Sequence, residues 1–313
     1  MTATDTAGSL EAIRRQTAEG PRARQMLVTL MADYWLGEGA LAPSGALVEL
    51  MQAFGVAEPG TRTLLSRLSK AGRLVVVREG RRTFYRLSRQ ARARLSSGLE
   101  QIAGFDRLPA HPSDHWTCVA FSLPEERRKD RQKLRQGLVW MGFAPLYDGL
   151  WVSPRAAVDD VCALVESLCV EAASVFEGDI RGVGSVRGNP ADAWDIPKLQ
   201  GLYWQFLTAS EPALARLEAD GFDPASALDV RTQLINVWRA YPLLDPGLPQ
   251  AFLPADWPRR QAQARFLALY DGLAPLALAR VRDAVAAHWP DYLGFVGAHR
   301  LGPADADRVV HLQ

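Results

Sequence analysis

Residues 61–88, TRTLLSRLSKAGRLVVVREGRRTFYRLS, restrict the possible folds more than any other part of the 313-residue chain. Thr61, Leu64, Leu65 and Leu68 recur at offsets of three, four and seven, which predicts a helix with one buried stripe. Arg62, Thr63, Ser66, Arg67 and Lys70 turn away from that stripe and carry hydrogen-bond donors on short or long stems. Ala71-Gly72 ends the helix, because glycine supplies the left-handed conformation that a C-terminal cap takes. Leu74–Val77, rich in β-branched residues, and Thr83–Leu87 then flank Glu79-Gly80-Arg81-Arg82, a β-hairpin with a basic tip. A helix followed by a basic hairpin is the layout of a winged helix-turn-helix.

Charge points the same way. From Arg62 to Arg94 the chain carries 11 Lys and Arg against one acid, Glu79. A strip of this kind favours lying along phosphates and makes binding steeply dependent on salt. Charge that merely protects an edge strand would account for the hairpin, but here it covers the helix as well. Arg62 and Arg67 are the candidates for base edges, since arginine grips guanine O6 and N7 with two bonds. Thr63, Ser66 and Lys70 suit phosphate or water-mediated contacts, and Arg81 and Arg82 suit the minor groove or its backbone. Arg78 and Tyr85 on the hairpin complete the set, with Ser44 holding a phosphate at a helix N-terminus.

The length calls for two or three domains, and a hydrophobic content of 48% with 23% charged residues is that of an ordinary globular chain. The net charge of +1 is unevenly spread, with +6 on residues 1–107 and −5 on the remainder, so the basic part is the one suited to a nucleic acid. Cys118, Cys162 and Cys169 form neither a disulfide framework nor a zinc spacing, and Cys162 and Cys169 read as buried thiols one heptad apart on a helix. No signal segment opens the chain and no apolar run approaches the ~20 residues that span a bilayer, so a cytoplasmic protein without a membrane partner is expected.

Taken in order, residues 1–20 read as a flexible arm and 21–90 as the winged helix-turn-helix domain. In that domain Met26, Leu27, Leu30, Met31, Tyr34 and Trp35 share a face of the first helix, and Ser44 is the expected N-cap of the second. Residues 91–112 form a linking helix ended by prolines. Over 113–182, a strand at His115–Leu123, a charged helix at Glu125–Trp140, a strand at Ala144–Pro154, a helix at Val158–Val170 and a strand at Ala173–Ile180 predict a ferredoxin-like α/β domain. A linker at 181–192 precedes an all-helical C-terminal domain over 193–313, with helices at 198–219, 224–240 and 258–288 and proline-rich turns over Tyr241–Pro258 between them. The fold class is α+β.

Four segments in this order resemble the PaaX family, repressors of bacterial phenylacetate degradation. They are RTLLSRLSKAG with REGRRTFYRLS, RQKLRQGLVWMGFAPLYDGLWVSP, WDIPKLQGLYWQFL and LINVWRAYPLLDPGLPQAFLPADWP. The resemblance implies a homodimeric repressor on a near-palindromic double-stranded operator, released by an acyl-CoA effector such as phenylacetyl-CoA. It also implies a central domain similar to the ferredoxin-like nuclease subunit of CRISPR adaptation complexes. That nuclease holds metal through an acid at the end of its first strand, where this chain has Phe121-Ser122-Leu123-Pro124. A metal-dependent nuclease is the rival from a different class, and the missing carboxylate opposes it.

A CoA thioester needs cations for its phosphates and an apolar, aromatic pocket for its acyl group. Arg127, Arg128, Arg131 and Arg135 suit the first need, Trp151, Tyr203, Trp204 and Trp238 the second, and Arg239 a carbonyl or phosphate. Family members often carry a histidine and an acid before that arginine, where this chain has Asn236-Val237-Trp238, so a non-CoA aromatic or heterocyclic catabolite is the alternative effector. The sequence contains no GxSxG, P-loop, dinucleotide loop or zinc spacing, and its five histidines are scattered, so no enzyme, metal or cofactor is expected.

Overall fold

Why the first helices form where they do is set by their termini. The computed structural model describes Leu10 and residues 22–105, 115–147, 149–155, 157–180 and 190–302. The expected arm, Leu10 apart, and residues 181–189 of the expected 181–192 linker lie outside the described residues, while residues 190–192 belong to a 3-10 turn, Pro190–Ala193. Helix α1 is Arg22–Tyr34, the two-residue strand β1 is Ala42–Pro43, and α2 is Ser44–Ala53. Helix α3 is Glu58–Lys70, and β2 (Leu74–Glu79) and β3 (Arg82–Leu87) form the hairpin, followed by α4, Arg89–Ala103. Helix α2 stops at Gly55 (φ +76°) and α3 at Gly72 (φ +67°). In each case the glycine N–H and the next N–H fold back on the last turn: Gly55 to Gln52 and Val56 to Met51, Gly72 to Ser69 and Arg73 to Leu68. A side chain would strain either turn, so these glycines set the angle between the two helices and the start of the wing.

Strands β1, β3 and β2 make a three-stranded antiparallel sheet in that order. The wing register pairs Leu74 with Leu87 and ends with Glu79 opposite Arg82, leaving Gly80 (φ +60°) and Arg81 as the turn. Helix α3 begins three residues before the expected Thr61, because Pro59 is accommodated in the first turn, where its missing N–H has no partner to lose. Ser44 does not cap α2 either: Pro43 holds the N-cap position without a side-chain bond, and Ser44 is the first helical residue.

The central elements are β4 (Trp116–Phe121), α5 (Arg128–Trp140), β5 (Ala144–Tyr147), β6 (Leu150–Ser153), α6 (Val158–Ser167) and β7 (Ala173–Gly178). Their sheet has the antiparallel order β5-β6-β4-β7, so the topology is β-α-β-β-α-β. The single strand expected over Ala144–Pro154 is thus a hairpin, with Tyr147 paired to Leu150 across a turn that includes Gly149. One face of the sheet, with Val119 and Trp151, packs on Leu134 and Leu138 of α5 and Val161 of α6. The other face, with Trp116, Cys118 and Val152, is covered by Trp194, Leu248, Phe252 and Leu253. The proline-rich stretch read as a turn between helices is therefore the lid of a sheet face. Arg155 holds that lid through the carbonyls of Asp245 and Pro246, both at 3.0 Å, and Arg259 grips the Asp245 carboxylate in two bonds of 2.7 and 2.8 Å.

Cys162 is half-buried and Cys169 exposed, contrary to the expected pair of buried thiols. Helix α6 ends at Ser167, and Cys169 (φ +49°) takes the left-handed stop position usually given to glycine.

The helical region comprises α7 (Ile196–Glu218), α8 (Pro224–Trp238), the one-turn α9 (Tyr241–Leu244), α10 (Arg259–Gly272) and α11 (Ala274–His288), followed by a 3-10 segment, Pro290–Phe295. No helix among the described residues is long and apolar enough to cross a membrane. Residue contacts divide the chain into two units. One joins residues 1–103 with 205–239 and 261–313, and the other joins 104–204 with 240–260. The winged-helix elements and much of the helical region thus share one unit.

That unit is tied together by a buried ion pair. Arg231 on α8 and Asp33 on α1 are 3.1 Å apart, with side chains 0% and 1% exposed. Arg231 also donates to the Tyr34 hydroxyl at 3.1 Å, the Tyr270 carbonyl at 3.0 Å and the His299 carbonyl. The Tyr270 hydroxyl closes the network onto Asp33 at 2.7 Å. Burial raises the Asp33 pKa above its ordinary value, with the Arg231 charge and the Tyr270 hydrogen bond opposing. Every donor of this kind needs its partner, because an isolated buried charge is far costlier than a satisfied pair. Arg231→Met should therefore lower the unfolding free energy by about 3–5 kcal/mol, read as a fall in the urea midpoint.

Asp223 caps α8, its carboxylate accepting from the backbone N–H groups of Ala225 and Ser226 at 3.0 Å each. These bonds and the Ser226 hydroxyl hold its pKa below 3.8. A depressed folded pKa means the cap stabilises above the unfolded value and is lost as pH falls through the folded one. Asp223→Ala should cost about 0.5–2 kcal/mol at neutral pH, a difference that fades in thermal melts as pH drops below 3.8.

Candidate nucleic-acid interface

Helix α3 buries Thr61, Leu65 and Leu68, as its spacing predicts, while Leu64, expected in the same stripe, is only half-buried. The remaining positions, Arg62, Thr63, Ser66, Arg67 and Lys70, are exposed. Thr63 donates its hydroxyl to the Pro59 carbonyl at 2.8 Å, which leaves its oxygen lone pairs for an incoming donor. Arg62 is held by Glu58 one turn earlier, with Nε to Oε1 at 2.7 Å and the side chain 60% exposed. Such exposed pairs are worth about 0.3–0.5 kcal/mol, so a phosphate or guanine edge displaces Glu58 readily. Among the described residues the side chains of Arg67, Lys70, Arg78 and Arg81 have no hydrogen-bonded or ionic partner.

The wing register sorts its side chains onto two faces. Cross-strand partners share a face and alternate along each strand. Val76, Arg78, Thr83 and Tyr85 therefore lie on one face, and Val77, Glu79, Arg82 and Phe84 on the other. The first face adjoins the recognition helix, since Arg62 and Arg78 both act on Tyr85, opposing the rise that burial imposes on its pKa. The structure thus brings Arg62, Arg78 and Tyr85 together with the cationic side of α3.

Arg82 is on the other face. Its guanidinium carbon lies 3.4 Å from the centroid of the Trp289 ring, whereas Arg81 sits in the turn without such a partner among the described residues. The sequence pairs Arg81 with Arg82 as neighbours, whereas the structure puts Arg81 in the turn and Arg82 at the start of β3. Ser44 is half-buried at the first position of α2. A side chain at the adjacent Gly45 would collide with the His288 ring, so the start of α2 is closely faced by the end of α11.

The expected effector residues fall in both units. Arg127 straps the end of α6, donating to the carbonyls of Leu168 and Cys169 at 2.7 Å each, and pairs with Asp130. It thereby holds the left-handed turn at Cys169. Arg131 is bound to Glu125 and to the Leu123 carbonyl. Arg128 and Arg135 are exposed on α5. Trp151 belongs to the central core beneath α5. Tyr203 is fully buried with its hydroxyl donated to Asp245 at 2.6 Å, and its neighbour Trp204 is 41% exposed. Trp238 is fully buried and stacked on Phe266 at 4.8 Å, and Arg239 follows it at the end of α8 in the other unit from Arg127–Trp204. Large aromatics at helical spacing have filled cores here. Asn236, at the position that departs from the family pattern, is buried and accepts from Thr29 at 3.0 Å.

Sequence reasoning passed over Asp33, Arg231, Trp289 and Tyr292. The signal for the first was an acid inside the apolar stripe of α1; nothing local marked the others, whose partners lie far away in the chain.

If α3 reads bases, Arg67→Ala should weaken operator binding by about 1–3 kcal/mol and relax the preference at one base pair. Lys70→Ala should weaken all duplexes alike and lower the slope of log affinity against log salt by about one. Titrations of matched and mismatched duplexes over a salt series separate the two.

Three family models match the chain in order. One described as PaaX-like protein covers residues 22–91, one described as PaaX protein central Cas2-like domain covers 109–189, and one described as PaaX-like protein C-terminal domain covers 194–282. The chain is 30% identical over 264 residues to the transcriptional repressor PaaX of Escherichia coli (strain K12), with 82% of each chain covered. Among solved structures it is similar in fold to the uncharacterized protein Rv0674 from Mycobacterium tuberculosis. The TM-score is 0.53 at 23% identity, covering 82% of this chain and 96% of that one. On the order of the three models and the length of this likeness, the chain belongs to the PaaX family of transcriptional regulators.

Proposed function

We propose that the protein is a transcriptional repressor of a catabolic operon for aromatic acids, acting in the cytoplasm as a homodimer on a near-palindromic operator. It is a regulator and not an enzyme. The observation that carries this reading is the shared exposed face of α3 and the outer wing. Arg62, Arg67, Lys70, Arg78 and Arg81 stand there over a buried apolar stripe. A single such face supplies affinity for phosphates and a few base contacts; two of them, one helical turn apart, are what a palindrome requires.

The effector is an aryl- or acyl-CoA thioester such as phenylacetyl-CoA. Arg128 and Arg135, exposed on α5, suit its phosphates. Arg127 and Arg131 are committed to the fold by their bonds to carbonyls and acids. Release from the operator requires that the ligand bind one arrangement of the protein more tightly than the DNA-binding arrangement, since equal affinity for both shifts nothing. The domain limits of this reading are a DNA-binding domain over 21–90, a linking helix over 91–112, a ferredoxin-like domain over 113–182 and a helical domain over 193–313.

Gel retardation of the protein's own upstream region at fixed salt tests the proposal. A specific complex should form and be released by phenylacetyl-CoA, while free phenylacetate leaves it intact. A specific complex indifferent to acyl-CoA thioesters but released by a free aromatic or heterocyclic acid would replace the effector and keep the repressor.

A further inference from the structure

The segment after α11 is built against the inner face of the wing. Phe84, 1% exposed, is met edge-on by Trp289 at 5.3 Å and 80° and lies nearly parallel to Tyr292 at 4.6 Å and 20°. Both charged residues of that face are held as well. Arg82 is stacked 3.4 Å from the Trp289 centroid, and the Tyr292 hydroxyl donates to Glu79 at 2.6 Å. Trp289 and Tyr292 also touch each other at 5.6 Å and 82°. The helix that carries this segment is fastened to α2: Arg280 donates to Glu49 at 2.8 Å, and the His288 ring lies 3.1 Å from the same carboxylate. The scaffold that fixes the helix-turn-helix thus also fixes the wing.

We propose that Trp289 and Tyr292 are positioning residues for DNA recognition, a clamp that holds Glu79 and Arg82 against their own rings on one side of the wing and leaves Arg78 and Tyr85 on the other side, with Arg81 at the turn, for the duplex. This rests on the reading of α3 and the wing as a duplex reader. The chemistry follows from the two residue types. A flat guanidinium on an indole face keeps its charge but is confined to one side of the wing. A phenol bonded to Glu79 keeps the lone acid of the wing from lying against phosphates, where it would repel them. The clamp therefore removes one cation and one anion from the wing's reach and sets its tilt. Any movement of α11 relative to the wing returns Arg82 to it, adding one phosphate contact.

The test uses the full chain and a random-sequence duplex, with affinity measured by fluorescence anisotropy over a salt series. Each phosphate neutralised contributes about 0.9 to the slope of log affinity against log salt. Arg78→Gln should lower the slope by about 0.9. Arg82→Gln should keep the parent slope. Trp289→Leu, which retains an apolar contact for Phe84, should steepen the slope by about 0.9, and Trp289→Leu with Arg82→Gln should return it to the parent value. A purely packing role for Trp289 would lower the melting temperature without that Arg82-dependent change in slope.

A fall in slope for Arg82→Gln as large as that for Arg78→Gln overturns the clamp. So does an unchanged slope for a folded Trp289→Leu protein. Should Trp289→Leu fail to fold, the comparison of Arg78→Gln with Arg82→Gln, both at exposed positions, decides alone. Parent protein that binds no duplex at any salt sinks the DNA-reading proposal and the clamp together. Parent binding with a reduced Arg82→Gln slope sinks only the clamp.

Discussion

The guanidinium of Arg231 occupies the point where α8, α1 and α10 meet, and its bonds reach two tyrosines, an aspartate and the carbonyl of His299. A charge with no exposed surface is tolerated only when each donor finds an acceptor. The three segments that supply those acceptors must therefore be assembled around α8. The requirement binds the first helix of the DNA-reading segment to the helical region some 200 residues later, and Thr29 bonded to Asn236 adds a second tie between the same helices. Dispersion and burial would permit several ways of stacking these apolar helices. The ion pair and its tyrosines select one, because any sliding of α8 along α1 would leave buried polar groups without partners.

From that anchor the geometry of the reading head follows. Helix α11 packs along α8 and α2, with Glu49 taking both Arg280 and His288. Its end places the Trp289–Phe295 segment under the wing, where Phe84 is enclosed by two rings. The winged helix-turn-helix is in this way continued by distant chain. An isolated domain would keep the packing of α2, α3 and α4 on the wing but lose the rings that enclose Phe84. Here its tilt is inherited from the same helices that carry the buried network.

The central domain uses a comparable device. Its sheet has apolar residues on both faces, and α5 and α6 cover only one. The second face is closed by Leu248 and Phe252 from a proline-rich stretch that has little regular structure of its own. Such a stretch has few backbone bonds to hold it. Arg155 and Arg259 take up that role, one on its carbonyls and the other on Asp245, whose carboxylate also accepts the Tyr203 hydroxyl and the Gly247 N–H. Tyr203 and Arg259 are here the fastening of a lid.

The sequence by itself determined the local elements. Leucine spacing placed α3 and most of its buried side, Gly55 and Gly72 placed the turns, β-branched runs around Gly80 placed the wing, and the run of arginines marked the basic strip. Those signals are local because helix stripes, left-handed stops and two-residue hairpins are decided within a few residues. Boundaries slipped where a competing local rule applied, as at Pro59, which α3 takes into its first turn, and at Pro43, which displaced Ser44 from the cap. Only the tertiary structure decided which side chains face ligand and which face protein. Arg81 and Arg82 are indistinguishable as letters, and strand register with Trp289 separated them. Trp151, Tyr203 and Trp238 suit a pocket or a core equally by composition, and packing put all three inside. Arg127 and Arg131 read as free cations, yet nearby acids pair with both, and Arg127 also reaches the carbonyls of Leu168 and Cys169 about 40 residues on. The physical reason is common to these cases: a side chain's role is fixed by the partner that satisfies it, and the partners of Arg82, Arg231, Asp33 and Asp245 lie dozens to hundreds of residues away, where no local pattern reaches.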